Sequence, residues 1–153
     1  LAAQQYTFGD GAVGETALQI ATEKTDLGFA HAVALGILCN ALVCMAVWLT
    51  YSARSTVDRI LAVIPPIAAF VASGFEHSVA NMYFIPFGLF VKSDSSFVAG
   101  LEPSPDLSGL TWGGFFVDNL IPVTLGNMIG GTLLVGALYW FVYLRSERSR
   151  SPA

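Results

Sequence analysis

Charge is what this chain has least of. Lys, Arg, Asp and Glu supply 12% of its 153 residues, against about 25% in an ordinary soluble domain. Apolar residues make up 54% and mean hydropathy is +0.63. A water-soluble globule is excluded on that ground. There is no strand-like alternation and no concentrated basic patch, and the formal net charge is −4, which argues against a nucleic-acid partner. The two cysteines, Cys39 and Cys44, are five residues apart in an apolar segment. At about 100° per residue they face away from each other, so they read as small packing residues rather than a disulfide or a metal pair. Histidine is as sparse. His31 stands alone near a helix end and cannot complete a metal site with His77. No Ser or Cys nucleophile motif is visible, so a membrane-embedded enzyme using Glu76 and His77 as acid and base lacks support. No metal or cofactor is expected.

What is present is apolar length. Residues 27–52, 60–91 and 119–144 each reach the roughly 20 residues that one span requires. The chain opens at Leu1, without Met and without a visible signal peptide, on a polar stretch over residues 2–26. It reads as a fragment beginning in an extramembrane loop. Arg54 and Arg59 lie between the first two spans, and Arg145, Arg148 and Arg150 come after the third. The other two segments carry acids: Asp10, Glu15, Glu23 and Asp26 in one, Asp94, Glu102, Asp106 and Asp118 in the other, with Lys24 and Lys92 their only cations. The positive-inside rule therefore places Arg54, Arg59 and the C-terminus in the cytoplasm. Trp48 and Tyr51, and Tyr139, Trp140 and Tyr143, flank the basic segments as interface anchors should.

The middle span is the unusual one. It has 32 residues without Lys, Arg or Asp, yet holds Glu76 and His77 half-way along. Ionisable groups at bilayer depth are costly and mark permeation or proton-transfer sites. Pro65 and Pro66, then Gly74, then Pro86 predict a helix interrupted between about residues 70 and 80. A half-helix starting near Ser78 would turn its orphan N–H groups and positive dipole end to mid-membrane, and Glu76 could cap it. The alternative is that Glu76 and His77 bond each other and nearby backbone in a tight bundle. The flanking spans are built for close approach: Gly28, Ala32, Gly36, Asn40 and Cys44 recur every four residues, and Gly126 and Gly130 form a GxxxG pair. Asn40 and Asn127 are either interhelical clamps or members of the same pore as His77.

The run Gly74-Phe75-Glu76-His77-Ser78-Val79-Ala80-Asn81-Met82 resembles the formate/nitrite transporter family. So do Asn119-Leu120-Ile121-Pro122-Val123-Thr124-Leu125-Gly126-Asn127 and the segment from Leu35 to Cys44. The resemblance implies an all-α membrane protein with an aquaporin-like bundle of two inverted three-helix repeats, of which residues 1–153 are the second, with the first repeat absent. It implies a homo-pentamer in the bacterial inner membrane, with a pore in each protomer passing formate or a related small monovalent anion. It also implies roles: His77 as the central pore residue, Asn127 as its hydrogen-bonding partner, Asn40, Val43 and Phe70 as pore or constriction positions, and Lys24 in an external vestibule. A small carboxylate loses hydration in an apolar passage, and an imidazole titrating near neutral pH could attract the anion or lend it a proton. Formate, nitrite and hydrosulfide stay open as substrates, as do passive passage and proton symport. A structural membrane subunit without a pore is the alternative of another class.

Overall fold

The structure, a computed structural model, describes residues 3–145, and its regular elements are helical, with no strand among the described residues. After a 3₁₀ turn at Gln5–Thr7 come α1 (Ala12–Thr25), α2 (Phe29–Thr50), α3 (Thr56–Ala72), α4 (Ser78–Lys92) and the short α5 (Ser95–Ala99). The last helix, α6, runs over Gly114–Leu144. Within it an α-helical stretch, Ile121–Ile129, separates two stretches of wider π turns, Gly114–Leu120 and Gly130–Ala137. Among the described residues α2 and α6 are each long and apolar enough to cross a bilayer alone. Arg148 and Arg150, part of the basic tail, lie outside the described residues.

The chain divides into two compact units. The first comprises Leu1–Ala32 and Ser78–Pro122. Within residues 2–26, the polar stretch of the sequence, Ala12–Thr25 form a helix packed on α4. Gly14, Leu18, Ala21 and Thr25 are buried, at the i, i+4, i+7, i+11 spacing of one helical face. Leu18 and Ala21 build an apolar core with Tyr6, Ile85, Leu89, Val91, Leu107, Leu110 and Phe115. Gly88 lets α1 and α4 touch, since a Cβ there would collide with the Ala21 methyl and lie 3.1 Å from the Ala17 carbonyl. Lys92 Nζ donates to the carbonyls of Leu107 and Leu110 at 2.7 Å each and so ties down the connection to α6.

The second unit comprises Val33–His77 and Val123–Ala153. Here backbone meets backbone. A Cβ on Gly36 would lie 2.8 Å from the Val123 carbonyl oxygen; one on Gly126 would strike the Val33 carbonyl, and one on Gly130 the Ile37 carbonyl. This is the close approach that small residues permit in lipid, where dispersion rather than water exclusion holds helices together. α3 opens with a capping box: the Ser55 hydroxyl accepts from Asp58 N, and the Asp58 carboxylate accepts from Ser55 N. Trp48 packs edge-on against Tyr139 and Tyr143 at 6.3 and 6.2 Å. α3 carries exposed Val57, Ile60, Leu61 and Ile64.

Candidate functional site

The helical interruption has a defined cause, and it differs from the one the prolines suggest. α3 runs through Pro65 and Pro66 and ends at Ala72. The turn is made by Gly74, whose φ of +65° is the left-handed region open to glycine. Around it, Phe75 N donates to the Phe70 carbonyl and Gly74 N to the Val71 carbonyl, both at 3.1 Å. That 6→1 and 5→2 pair is a Schellman motif, which satisfies end carbonyls of α3. Gly74 therefore does not loosen the chain; it stops one helix and sets the direction of residues 75–77. α4 begins at Ser78, so residues 73–77 are the irregular stretch, inside the interval read from the sequence.

That turn brings His77 back over the end of α3. Its imidazole stacks on the Phe70 ring, 5.8 Å between centroids and 27° from parallel. Glu76 is 3% exposed and His77 half-buried. Irregular backbone at this depth needs polar partners, and Asn127 supplies them. Its Nδ2 donates to the Gly36 carbonyl at 2.9 Å and to the Glu76 carbonyl at 3.0 Å. Both hydrogens of that amide thus hold backbone. Asn40 Nδ2 donates to the Asn127 backbone carbonyl at 2.6 Å, one turn along α2 from Gly36. Asn40 and Asn127 are clamps between helices, whatever else they do.

The structure thus gathers Phe70, Glu76, His77, Asn127 and Asn40 within one unit. Val43 lies three residues beyond Asn40 on α2 and is half-buried. Lys24, in the last turn of α1, belongs to the other unit, where its carbonyl accepts from Asn119 Nδ2 at 2.7 Å. Sequence reasoning missed two side chains: Asn81 and Asn119 are fully buried, and Asn81 Nδ2 donates to Asn119 Oδ1 at 2.7 Å. The signal was the one used for Asn40 and Asn127, an amide in an apolar run.

Chemically, the second unit offers an imidazole on an aromatic platform, set at a helix interruption of which one carbonyl, that of Glu76, is held by an amide. Among the described residues two helices, α2 and α6, are long and apolar enough to cross a bilayer, as the helices of a membrane protein are. Comparison with known proteins agrees. The profile of the formate/nitrite transporters matches residues 1–141, and the chain belongs to that family. It is similar to the formate channel FocA of Escherichia coli K12, with 49% identity over 146 residues covering 94% of this chain and 51% of that protein. It is also similar to a probable formate transporter of Methanothermobacter thermautotrophicus, with 46% identity covering 78% of this chain and 38% of that one. Among solved structures, a pentameric formate channel with formate bound superposes with a TM-score of 0.81 at 42% identity, over 94% of this chain and 57% of the other. An FNT family ion channel does so with a TM-score of 0.70 at 32% identity, over 91% and 51%. The chain spans about half the length, or less, of these curated relatives.

Proposed function

We propose that this chain is the second three-helix repeat of an inner-membrane channel for formate and related small monovalent anions. In this reading the channel is a homo-pentamer with one pore per protomer, closed by a first repeat of the same inverted design. His77 is the group the permeating anion meets. It attracts the anion when protonated, or exchanges a proton with it. Phe70 and Val43 form apolar walls, Asn40 and Asn127 hold the backbone and orient the ring, and Lys24 draws anions into the external vestibule. Glu76, two residues before the start of α4, places negative charge where a helix N-terminus favours it. The observation that carries the reading is the Gly74 turn that stacks His77 on Phe70 while Asn127 grips the adjoining carbonyl. Orientation rests on the Arg-bearing ends: Trp48 against Tyr139 and Tyr143 joins the end of α2 to the end of α6, which supports placing Arg54 and Arg145 together on the cytoplasmic side.

The test is formate flux into liposomes reconstituted with the intact channel, between about pH 5 and 8, where an imidazole titrates. Wild type should show a pH-dependent flux, and His77→Ala should lose that dependence and alter selectivity while the oligomer still assembles. Asn127→Ala should act in the same direction but more weakly, because the titrating group remains. It should also destabilise the protein by about 1–3 kcal/mol for each buried carbonyl left without its donor. Glu76→Gln should mainly lower stability. Identical pH profiles for wild type and His77→Ala would make His77 a packing residue. Absence of any small-anion flux would favour a structural subunit.

A further inference from the structure

The carbonyl of Lys24 is among the last four of α1, which a helix leaves without internal donors. Its neighbours are served locally: the Thr25 hydroxyl donates to the Ala21 and Thr22 carbonyls at 3.1 Å each, and Asp26 N also reaches Thr22 at 3.0 Å. The Lys24 carbonyl is met from another helix, by Asn119 Nδ2 of α6 at 2.7 Å. The Asn119 amide is itself set, since its oxygen accepts from Asn81 Nδ2 of α4 at 2.7 Å. Both amides are 0% exposed. One hydrogen-bonded line therefore runs from α4 through α6 to the backbone of the cation-bearing turn of α1, all inside the first unit. A lysine head group hangs on a flexible four-carbon stem, so the backbone from which it hangs decides which region it charges.

We propose that Asn119 is a positioning residue for Lys24: it fixes where α1 ends, and thereby where the vestibule cation stands, without touching the permeating anion. The proposal rests on the reading of Lys24 as the vestibule cation. Formate uptake is measured in liposomes carrying the intact channel as wild type, Lys24→Gln, Asn119→Ala and the double variant, at low and high ionic strength. Asn119→Ala should raise KM for formate by at most as much as Lys24→Gln does, because it acts through that cation, leave maximal flux unchanged, and flatten the salt dependence of KM, because screening acts on the cation. The double variant should be no worse than Lys24→Gln, since both changes act through one group. Additive KM effects, or lost maximal flux at unchanged KM, would make Asn119 merely structural and overturn the proposal. A Lys24→Gln channel with wild-type KM would overturn it too, while leaving the channel reading intact. Absence of formate flux in wild type would instead overturn that reading. Should Asn119→Ala fail to assemble, Asn81→Ala removes the bond that orients the amide while leaving Asn119 in place; it should raise KM in the same direction, and an unchanged KM would count against the proposal.

Discussion

The two units of this chain are held together in different ways. The first resembles the interior of a soluble protein: Leu18, Ile85, Leu110 and Val91 are packed side chain against side chain, with Tyr6, Asp94 and Lys92 bonding polar groups near the ends of the helices. The second has few large buried side chains and brings backbones together through Gly36, Gly126 and Gly130, with the amides of Asn40 and Asn127 bridging the helices. Side-chain packing adjusts by rotamer changes. Backbone contact has no such freedom. The unit that carries His77 is thus the one with less tolerance for change.

Glycine substitution breaks this comparison most directly. Gly130→Ala and Gly88→Ala both insert a methyl into occupied space and should each destabilise the protein by about 1–3 kcal/mol, read as thermal unfolding in detergent. The difference lies in rescue. The obstacle at Gly88 includes the Ala21 methyl, whereas at Gly130 it is the Ile37 carbonyl. Ala21→Gly should therefore recover part of the Gly88→Ala loss, the rest reflecting the nearby Ala17 carbonyl and the lower helix propensity of glycine. Ile37→Ala should recover none of the Gly130→Ala loss. Equal rescue in both pairs would mean the units are packed alike.

A smaller effect tests the turn. A Cβ on Gly74 would meet no heavy atom within 4 Å, so Gly74→Ala adds no clash; what it adds is a left-handed φ on a residue with a Cβ. The expected loss is about 1–2 kcal/mol, accompanied by a changed pH profile of anion flux, because the same turn carries His77 to Phe70. Gly28→Ala, also in open space but without a positive φ, is the matched control and should be silent. A Gly74→Ala protein with wild-type stability and flux would show that the Schellman turn is not what sets the imidazole.

These contrasts also mark how far the sequence was legible. Apolar length points to α2, α6 and the interrupted helix between them, because burial in lipid leaves a compositional trace. The site was legible through its rarity: one Glu-His pair and a few amides stand out in apolar runs. α1 was hidden because its exposed positions, Glu15, Gln19 and Glu23, outvote Leu18 and Ala21 in composition, although the 3–4 residue spacing was there to be counted. Pro65 and Pro66 misdirect for a physical reason: proline removes a local donor, but in a membrane helix neighbouring groups and small adjustments satisfy the freed carbonyls. Which carbonyls Asn127 and Asn119 hold could not be read at all, since those partners are 51 to 95 residues away along the chain and exist only once the helices pack.

The smallest expected effect concerns the α5 end of the first unit and should leave the second untouched. Asp94 caps α5 by accepting from the backbone N–H groups of Ser96 and Phe97 at 3.1 Å each, and from the hydroxyls of Ser96 and Tyr6 at 2.6 Å each. These donors, the Ser96 hydroxyl foremost and Tyr6 next, pull its carboxyl from the usual 3.8 down to about 2. The same bond raises the Tyr6 hydroxyl above its ordinary value. Because the folded value lies below the unfolded one, the stabilisation is complete above about pH 4 and is lost as pH falls through about 2. Amide protection at Ser96 and Phe97, corrected for intrinsic exchange, should decline over that window while α2 amides hold. Tyr6→Phe removes one donor, so the Asp94 carboxyl should move back up and the decline should begin at higher pH and be shallower. Asp94→Asn should remove Asp94's part of it. Asp106, held low chiefly by the Ser108 N–H, titrates in the same direction, and Asp106→Asn separates its share. An undiminished acid loss of α5 protection in Asp94→Asn would show that this cap is not the acid-sensitive element of the first unit.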